Sequence, residues 1–211
     1  MSKSLGNVVD PLDVIERLGV PALRYFFARH MRTGSDSAVS LELIANTYNS
    51  ELANKFGNLL ARLTKFARTR LGEVVPDVRQ IHVEDQSLLE EALLAAIEGN
   101  AQLQNVHTLA AGTARIFGIV ERLNDLLSEV APWSLISNPQ ERGRVESIVY
   151  VGLECLRLVF EAFWPISPET SRKGLEALGL TGEMPSVPLV ARKLKPGALL
   201  GPSIVLFPRI G

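Results

Sequence analysis

The sequence contains only one cysteine, Cys155, among 211 residues, so a disulfide framework and a cysteine-based zinc site are excluded. It has no run of about 18 uncharged apolar residues, the usual minimum for a transmembrane helix. Its first residues lack the basic-then-apolar order of a secretory signal. Hydrophobic residues nevertheless make up 46% of the chain, which is enough to build a core. These features favour a folded cytoplasmic protein that does not bind a membrane.

Recognisable catalytic and metal-binding motifs are also missing. The three histidines, His30, His82 and His107, are scattered, and we interpret each as a surface or core residue rather than a catalytic base. No His-Glu-x-x-His motif, EF-hand loop or Cys/His ligand spacing occurs, so we expect no metal site in this chain. Glycine-rich phosphate-binding fingerprints are absent as well. A self-contained active site is therefore not expected.

The charges are unevenly distributed along the chain, although the formal net charge is only -1. Residues 1–72 hold ten Lys/Arg against six Asp/Glu, whereas residues 73–211 hold twelve against seventeen. The basic first third is consistent with an anionic partner there, although such a charge distribution taken alone is more often a solvated surface.

Apolar residues recur at helical spacing through most of the chain. Helices are predicted after Asp10, after Pro21, over 41–70 with Ser40 as the cap, from about 87, and over 106–130, 142–164 and 169–178. We expect Gly99 and Asn100 to weaken the helix that begins near 87. Segment 142–164 is apolar nearly all round, which is typical of the centre of a bundle. The predicted fold class is therefore all-α, an antiparallel helical bundle behind a short helical linker, with an extended C-terminal arm.

A polar stripe follows the predicted helix over 41–70. Its members, spaced by three or four residues, are Lys55, Asn58, Arg62, Lys65 and Arg68. The Asn58 amide offers a donor and an acceptor to a base edge, and the Arg62 guanidinium is a planar fork that also stacks on bases. Spacing alone favours a solvated charged face for the stripe, with RNA binding at Asn58 and Arg62 as the functional alternative.

Trp133 stands next to Pro132, where the helix over 106–130 must end because proline cannot continue the hydrogen-bond ladder. An aromatic ring held by a stiff proline suits a stacking platform for an unpaired RNA base. Spacing alone favours the alternative, an ordinary core tryptophan at a helix corner.

The stretch Met1-Ser2-Lys3-Ser4-Leu5-Gly6-Asn7 is polar and precedes any helical periodicity. Lys3 carries a compact positive charge on a flexible stem, and Ser2 and Ser4 add hydroxyl donors. Such a loop suits the binding of a polyphosphate. A Ser-Lys-Ser tripeptide taken alone is more typical of an ordinary N-terminus.

Longer segments resemble one known family. The stretch MSKSLGNVVDP resembles the Lys-Met-Ser-Lys-Ser loop of class I aminoacyl-tRNA synthetases, as it continues in methionyl-tRNA synthetases, without its first lysine. The segment from Tyr48 to Arg62 resembles their YNSELAN-x-x-GNLxxR stretch. Asn124 and Ala131-Pro132-Trp133 are similar to their Asn-x-Tyr-Ile-x-x-x-x-Pro-Trp element. The stretches FWPISPET and LFPRI also resemble family segments, so the resemblance covers essentially the whole chain.

The resemblance implies the C-terminal part of a methionine–tRNA ligase, including its anticodon-binding bundle. It implies a catalytic role for Lys3 and contact with ATP by Ser2, Lys3 and Ser4. Binding of the methionine tRNA anticodon is implied for Asn58, Arg62, Asn124, Pro132 and Trp133, with the tryptophan stacking on a base. The intact enzyme would use ATP and Mg²⁺ to join methionine to its tRNA.

Two positions depart from the family pattern. Leu126 stands where the family usually has tyrosine, so the support behind the anticodon pocket is expected to differ. Val39 precedes Ser40 where an aromatic residue is usual.

We expect residues 1–38 to form the signature loop with its connecting helices, and residues 39–211 to form the anticodon-binding bundle with its arm. The expected partners are the methionine tRNA and the N-terminal catalytic half of the enzyme, with the protein a monomer. The alternatives are a stand-alone tRNA- or RNA-binding module without catalysis and a helical scaffold that has lost both roles.

Because the sequence offers Lys3 no nucleotide pocket, a polypeptide of these 211 residues is predicted not to activate methionine by itself. The measurement is ATP–pyrophosphate exchange with purified protein, methionine and ATP, and the expected result is the background rate. Robust exchange would contradict the prediction.

Overall fold

The computed structural model describes residues 9–34, 38–78, 81–180, 189 and 192–210. The helical elements in these ranges are α1 (Pro11–Leu18), α2 (Val20–His30), α3 (Leu41–Thr47), a π-helical segment (Tyr48–Gly57), α4 (Asn58–Arg70), α5 (Val83–Leu103), α6 (Leu109–Val130), α7 (Pro132–Leu135), α8 (Arg142–Phe163) and α9 (Pro168–Ala177). Within the same ranges the only β-structure is an isolated bridge between Val74 and Leu199. The prediction of an all-α fold is confirmed.

The predicted helix starts near the N-terminus are confirmed by their caps. The Asp10 carboxylate accepts a hydrogen bond from the Leu12 amide at 2.8 Å, and the Ser40 hydroxyl accepts one from the Leu43 amide at 3.0 Å. Gly19 ends α1 with φ +86°, a left-handed conformation that glycine adopts without strain. Short polar side chains therefore set where these helices begin.

Helix α8 forms the centre of the bundle and packs against α4, α5, α6 and α9. Nearly every residue from Val145 to Phe163 is buried, which confirms the position expected from its apolar sequence. The single thiol, Cys155, lies in this helix without exposed surface, and burial raises its pKa. Although α8 is so apolar, neither it nor any other helix of the described residues is long and apolar enough to cross a membrane.

A cluster of charged side chains is buried in α8, which the hydrophobic pattern did not predict. Arg157 donates to the carboxylates of Glu154 and Glu161 at 2.7 and 2.8 Å. Arg157 also donates to the Leu189 carbonyl at 3.2 Å, and the Leu194 amide donates to Glu154. Buried charges are tolerated only when they are paired and hydrogen-bonded. The cluster therefore fastens the arm to the central helix.

Helices α5 and α6 cross at two glycines, Gly99 and Gly112. A Cβ atom at Gly99 would lie 2.6 Å from the Ile116 side chain, and one at Gly112 would lie 2.7 Å from the Gly99 carbonyl oxygen. The expected weakening at Gly99 is wrong, since α5 continues to Leu103. Close helix packing compensates for the low helix propensity of glycine. The next helix begins at Leu109 rather than at Val106.

The helix predicted over 41–70 is interrupted by the π-helical segment. The Asn58 amide donates to the Ala53 carbonyl, five residues earlier, instead of four. The expected apolar stripe is nevertheless buried on both sides of this segment, from Ile44 through Phe56 to Ala67. The prediction was thus correct for the buried face and wrong for the backbone geometry.

The C-terminal arm lies on the bundle as expected. Its first part pairs with the chain after α4, where the Val75 amide donates to the Ala198 carbonyl at 2.8 Å and the Leu200 amide to the Glu73 carbonyl at 2.9 Å. Its last part brings the Phe207 ring to 5.7 Å from that of Phe56. The arm is therefore part of the packed structure.

Gly112→Ala is predicted to destabilise the fold by roughly 1–3 kcal/mol, because the added methyl group overpacks the crossing of α5 and α6. Gly118→Ala, on the same helix with open space around its Cα, is the matched control. It should stabilise the protein by roughly 0.5–1 kcal/mol through helix propensity. Urea unfolding of both variants measures the difference, and equal stabilities would contradict the role given to Gly112.

Candidate RNA-binding surface

Arg62 and Trp133 meet on the surface, although they belong to different helices. The guanidinium carbon of Arg62, on α4, lies 4.5 Å from the centre of the Trp133 ring, on α7. Trp133 is 42% exposed, so the alternative of a buried core tryptophan is wrong. Arginine over an indole ring is a favourable cation–π arrangement that leaves donors free for a ligand. The fold therefore brings together two of the residues singled out from the sequence.

The backbone at the end of α6 turns Trp133 outward. Ala131 adopts a left-handed conformation with φ +46°, and its amide donates to the Leu127 carbonyl at 3.1 Å. This conformation ends helices and is uncommon for a residue with a Cβ atom. Pro132 then starts α7 and is itself buried. The buried proline fixes the corner from which the indole projects.

Asn58 is an exposed residue at the start of α4, four positions before Arg62. Residues at this spacing lie on the same face of an α-helix. The side-chain amide of Asn58 makes no hydrogen bond with any residue that the structure describes. Its donor and acceptor are thus available on the same face as the Arg62 guanidinium.

Asn124 has a different environment from the other four residues. Its side-chain amide donates to the backbone carbonyls of Val120 at 2.9 Å and Lys55 at 3.4 Å. The bond to Val120 lies within α6, and the bond to Lys55 joins α6 to the C-terminal end of the π-helical segment. The geometry favours a role in holding the two elements together over direct contact with a ligand.

The side chains of the polar stripe predicted over 41–70 have different partners. Lys55 pairs with Glu121 of α6 at 2.5 Å, and the Arg68 guanidinium donates to the Gly201 carbonyl in the arm. Glu121 was not predicted, because 66 residues separate it from Lys55 and no local pattern marks the pair. Arg62 contacts Trp133 of α7 through its exposed guanidinium, and Lys65 is an exposed cation of the stripe.

Leu126 lies on the buried face of α6 and is 8% exposed. A leucine supports its neighbours by packing alone, because it has no hydroxyl group to donate a hydrogen bond. The support behind Pro132 and Trp133 therefore includes no polar contact from this position.

The remaining predicted site residues, Ser2, Lys3 and Ser4, lie outside the described residues. Within the described ranges, no group of three or more His, Cys, Asp or Glu side chains is placed to hold a metal ion.

Comparison with known proteins finds the same family by sequence. The family model described as tRNA synthetases class I (M) matches residues 1–64. The methionine–tRNA ligase of Caldanaerobacter subterraneus subsp. tengcongensis is 33% identical over all of this chain, which covers 33% of that protein. The methionine–tRNA ligase of Mycobacterium leprae is 33% identical over 99% of this chain, which covers 39% of it.

Comparison with solved structures finds the same family. The methionyl-tRNA synthetase of Mycobacterium tuberculosis bound by methionyl-adenylate superimposes with a TM-score of 0.90 at 31% identity. The match covers 99% of this chain and 41% of that chain. The apo form of the same enzyme gives a TM-score of 0.88 at 30% identity.

The matched family model and the solved structures relate this chain to the class I aminoacyl-tRNA synthetases. Within that class the chain belongs to the methionyl-tRNA synthetase family, the methionine–tRNA ligases, and corresponds to their C-terminal part. It spans about two fifths or less of the length of these relatives.

The contact between Arg62 and Trp133 predicts a fluorescence effect. In a Trp164→Phe background Trp133 is the only tryptophan, and Arg62→Ala should increase its quenching by acrylamide because one ring face loses its cover. Folding stability should fall by no more than roughly 0.5–1 kcal/mol, as expected for an exposed cation–π pair. Lys65→Ala, an exposed cation on the same helix, should leave the quenching unchanged. Equal quenching in both variants would show that the stack does not form in solution.

Proposed function

We propose that this chain recognises the anticodon of the methionine tRNA and supplies the ATP-facing loop of a methionine–tRNA ligase. The observation that carries the anticodon assignment is the exposed pair formed by Arg62 and Trp133, with Asn58 on the same face of α4. Membership of the methionyl-tRNA synthetase family supports tRNA as the ligand.

The chemistry of these residues suits an unstacked RNA base. A base stacks on the indole of Trp133, which gains roughly 1–3 kcal/mol per base. Asn58 and Arg62 then offer donors and an acceptor to the edge of the base or of its neighbour. Because such edge contacts differ between bases, they supply specificity that stacking alone does not.

Pro132 and Asn124 support this surface through contacts with the rest of the bundle. Buried Pro132 fixes the corner that carries Trp133. Asn124 holds α6 against the segment that precedes Asn58, through its bond to the carbonyl of Lys55. We therefore assign Asn124 a positioning role within the anticodon surface.

The ATP-facing role rests on Ser2, Lys3 and Ser4, through their resemblance to the signature loop. A lysine ammonium beside the phosphates stabilises the charge that develops there as the adenylate forms. The serine hydroxyls add hydrogen-bond donors to the same oxygens. The intact enzyme uses ATP and Mg²⁺, and its N-terminal catalytic half completes the nucleotide pocket. We place the boundary between the loop region and the anticodon-binding bundle between residues 38 and 39.

Trp133→Ala is predicted to weaken binding of the methionine tRNA by the free energy of one stacked base, roughly 1–3 kcal/mol. Filter binding or fluorescence titration of the 211-residue chain at fixed salt measures it, because electrostatic contacts with phosphates vary strongly with salt. Trp133→Phe, which keeps an aromatic face, is the matched control and should retain most of the affinity.

The same tRNA with a changed anticodon separates the alternatives. Recognition of the anticodon requires tighter binding of the unaltered tRNA, and Trp133→Ala should reduce this preference. Equal binding of both tRNAs would indicate an RNA-binding module without anticodon specificity. No binding of either would indicate a scaffold.

A further inference from the structure

The π-helical segment Tyr48–Gly57 lies directly before Asn58 and Arg62. π-Helix is rare and occurs mostly as single-turn bulges within α-helices, frequently at functional sites. A ten-residue segment of this kind needs support from outside itself. The described structure contains such support on two sides.

The end of the arm provides the first support through hydrogen bonds. The Asn49 side-chain amide donates to the Ile210 carbonyl at 2.8 Å, and the Ile210 amide donates back to the Asn49 side-chain oxygen at 3.0 Å. The Arg209 guanidinium donates twice to the Asn54 side-chain oxygen, at 2.7 and 3.1 Å. Three arm residues, Phe207, Arg209 and Ile210, form what we call the arm clamp.

Packing adds to these hydrogen bonds. The Phe207 ring lies 5.7 Å from that of Phe56 and 6.0 Å from that of Tyr48, at the two ends of the π-helical segment. A Cβ atom at Gly57 would lie 3.3 Å from the Phe207 side chain and 3.3 Å from the Leu52 carbonyl oxygen. The absence of a side chain at Gly57 thus allows Phe207 to approach the end of the segment.

Helix α2 supports the π-helical segment through Glu51. The Glu51 carboxylate accepts hydrogen bonds from the Tyr25 hydroxyl and from the Arg29 guanidinium, the latter at 3.3 Å. Burial, and then the neighbouring Glu51 carboxylate, raise the pKa of Tyr25, so its hydroxyl stays a proton donor. The arm clamp and α2 thus hold the segment from two sides. Its C-terminal end is also joined to α6 through Asn124 and Lys55 and packed on α8 through Phe56.

We propose that the arm clamp holds the π-helical register and thereby positions Asn58 and Arg62 beside Trp133, with Asn49 and Arg209 as positioning residues. The importance of these residues for RNA binding rests on the function proposed above. Their effect on the contact between Arg62 and Trp133 does not depend on it.

The mechanism follows from helix geometry. A π-type turn accommodates one more residue than an α-turn, so losing it rotates the following residues by about 100°, the angle of one residue in an α-helix. The buried Leu59, Leu60, Leu63 and Ala67 oppose this rotation along α4, so loss of the clamp is expected to displace the exposed residues nearest the π-helical segment rather than the whole helix. Asn58 and Arg62 lie nearer the π-helical segment, where the arm clamp acts.

The direct test uses the fluorescence of Trp133 in the Trp164→Phe background. Asn49→Ala removes both hydrogen bonds to Ile210, and acrylamide quenching should rise towards the value of Arg62→Ala. Asn46→Ala, an exposed asparagine on α3, is the matched control and should leave the quenching unchanged. Unchanged quenching in folded Asn49→Ala would overturn the proposal.

A second variant tests the arm clamp if Asn49→Ala does not fold. Arg209 is exposed, so Arg209→Gln replaces the charged guanidinium that donates to Asn54 by a shorter neutral amide without disturbing the core. It should also increase quenching, whereas Arg209→Lys, which keeps the positive charge and most of the side-chain length, should lie between it and the parent. Parent-like quenching in Arg209→Gln would remove Arg209 from the clamp and overturn the assignment.

Titration with tRNA then separates this proposal from the proposed function. If both hold, Asn49→Ala lowers the preference for the unaltered anticodon by roughly tenfold, the effect of about 1.4 kcal/mol, while Asn46→Ala does not. If the parent shows no anticodon preference but the clamp variants still expose Trp133, the proposed function fails and the positioning role stands. If the parent discriminates and the clamp variants bind and fluoresce as the parent does, the positioning role fails alone.

Discussion

The structure depends most on the packing of Phe56 against α8. The Phe56 ring stacks on that of Phe160 at 4.9 Å and meets the edge of Phe163 at 6.1 Å, while Phe207 of the arm contacts it at 5.7 Å. One buried ring in the π-helical segment thus touches the central helix and the end of the arm. Aromatic rings bury a large apolar area and favour such offset and edge-on contacts. The position of α4, and with it the candidate RNA-binding surface, follows from this packing.

The candidate RNA-binding surface contains exposed residues and residues that contact other parts of the bundle. Arg62, Trp133 and Asn58 expose polar and aromatic groups, whereas Asn124 and Lys55 use theirs to bind other parts of the protein. A backbone conformation that is unusual for alanine, at Ala131, turns the tryptophan outward. A rigid support of this kind lowers the cost of ordering the side chains when a ligand binds. The bundle is thus a scaffold whose interior sets the geometry of a small exposed site.

Much of the fold was predictable because its signals are local. Helical periodicity, the caps at Asp10 and Ser40 and the all-round apolar face of α8 each depend on residues a few positions apart. The same patterns misjudged Gly99, where a close crossing with α6 outweighs helix propensity, and Trp133, where spacing favoured a core position. They also missed the buried cluster around Arg157, since charged residues are usually read as exposed.

The sequence by itself determined the helical class, the family and the identity of the candidate site residues, because composition, periodicity and motifs are properties of neighbouring residues. Only the tertiary structure decided that Arg62 stacks on Trp133, that Lys55 pairs with Glu121, and that residues 48–57 are π-helical. These features depend on contacts between residues far apart in the chain, such as Asn49 and Ile210, which lie 161 positions apart. Long-range packing sets the rotation of α4, and no local pattern records it.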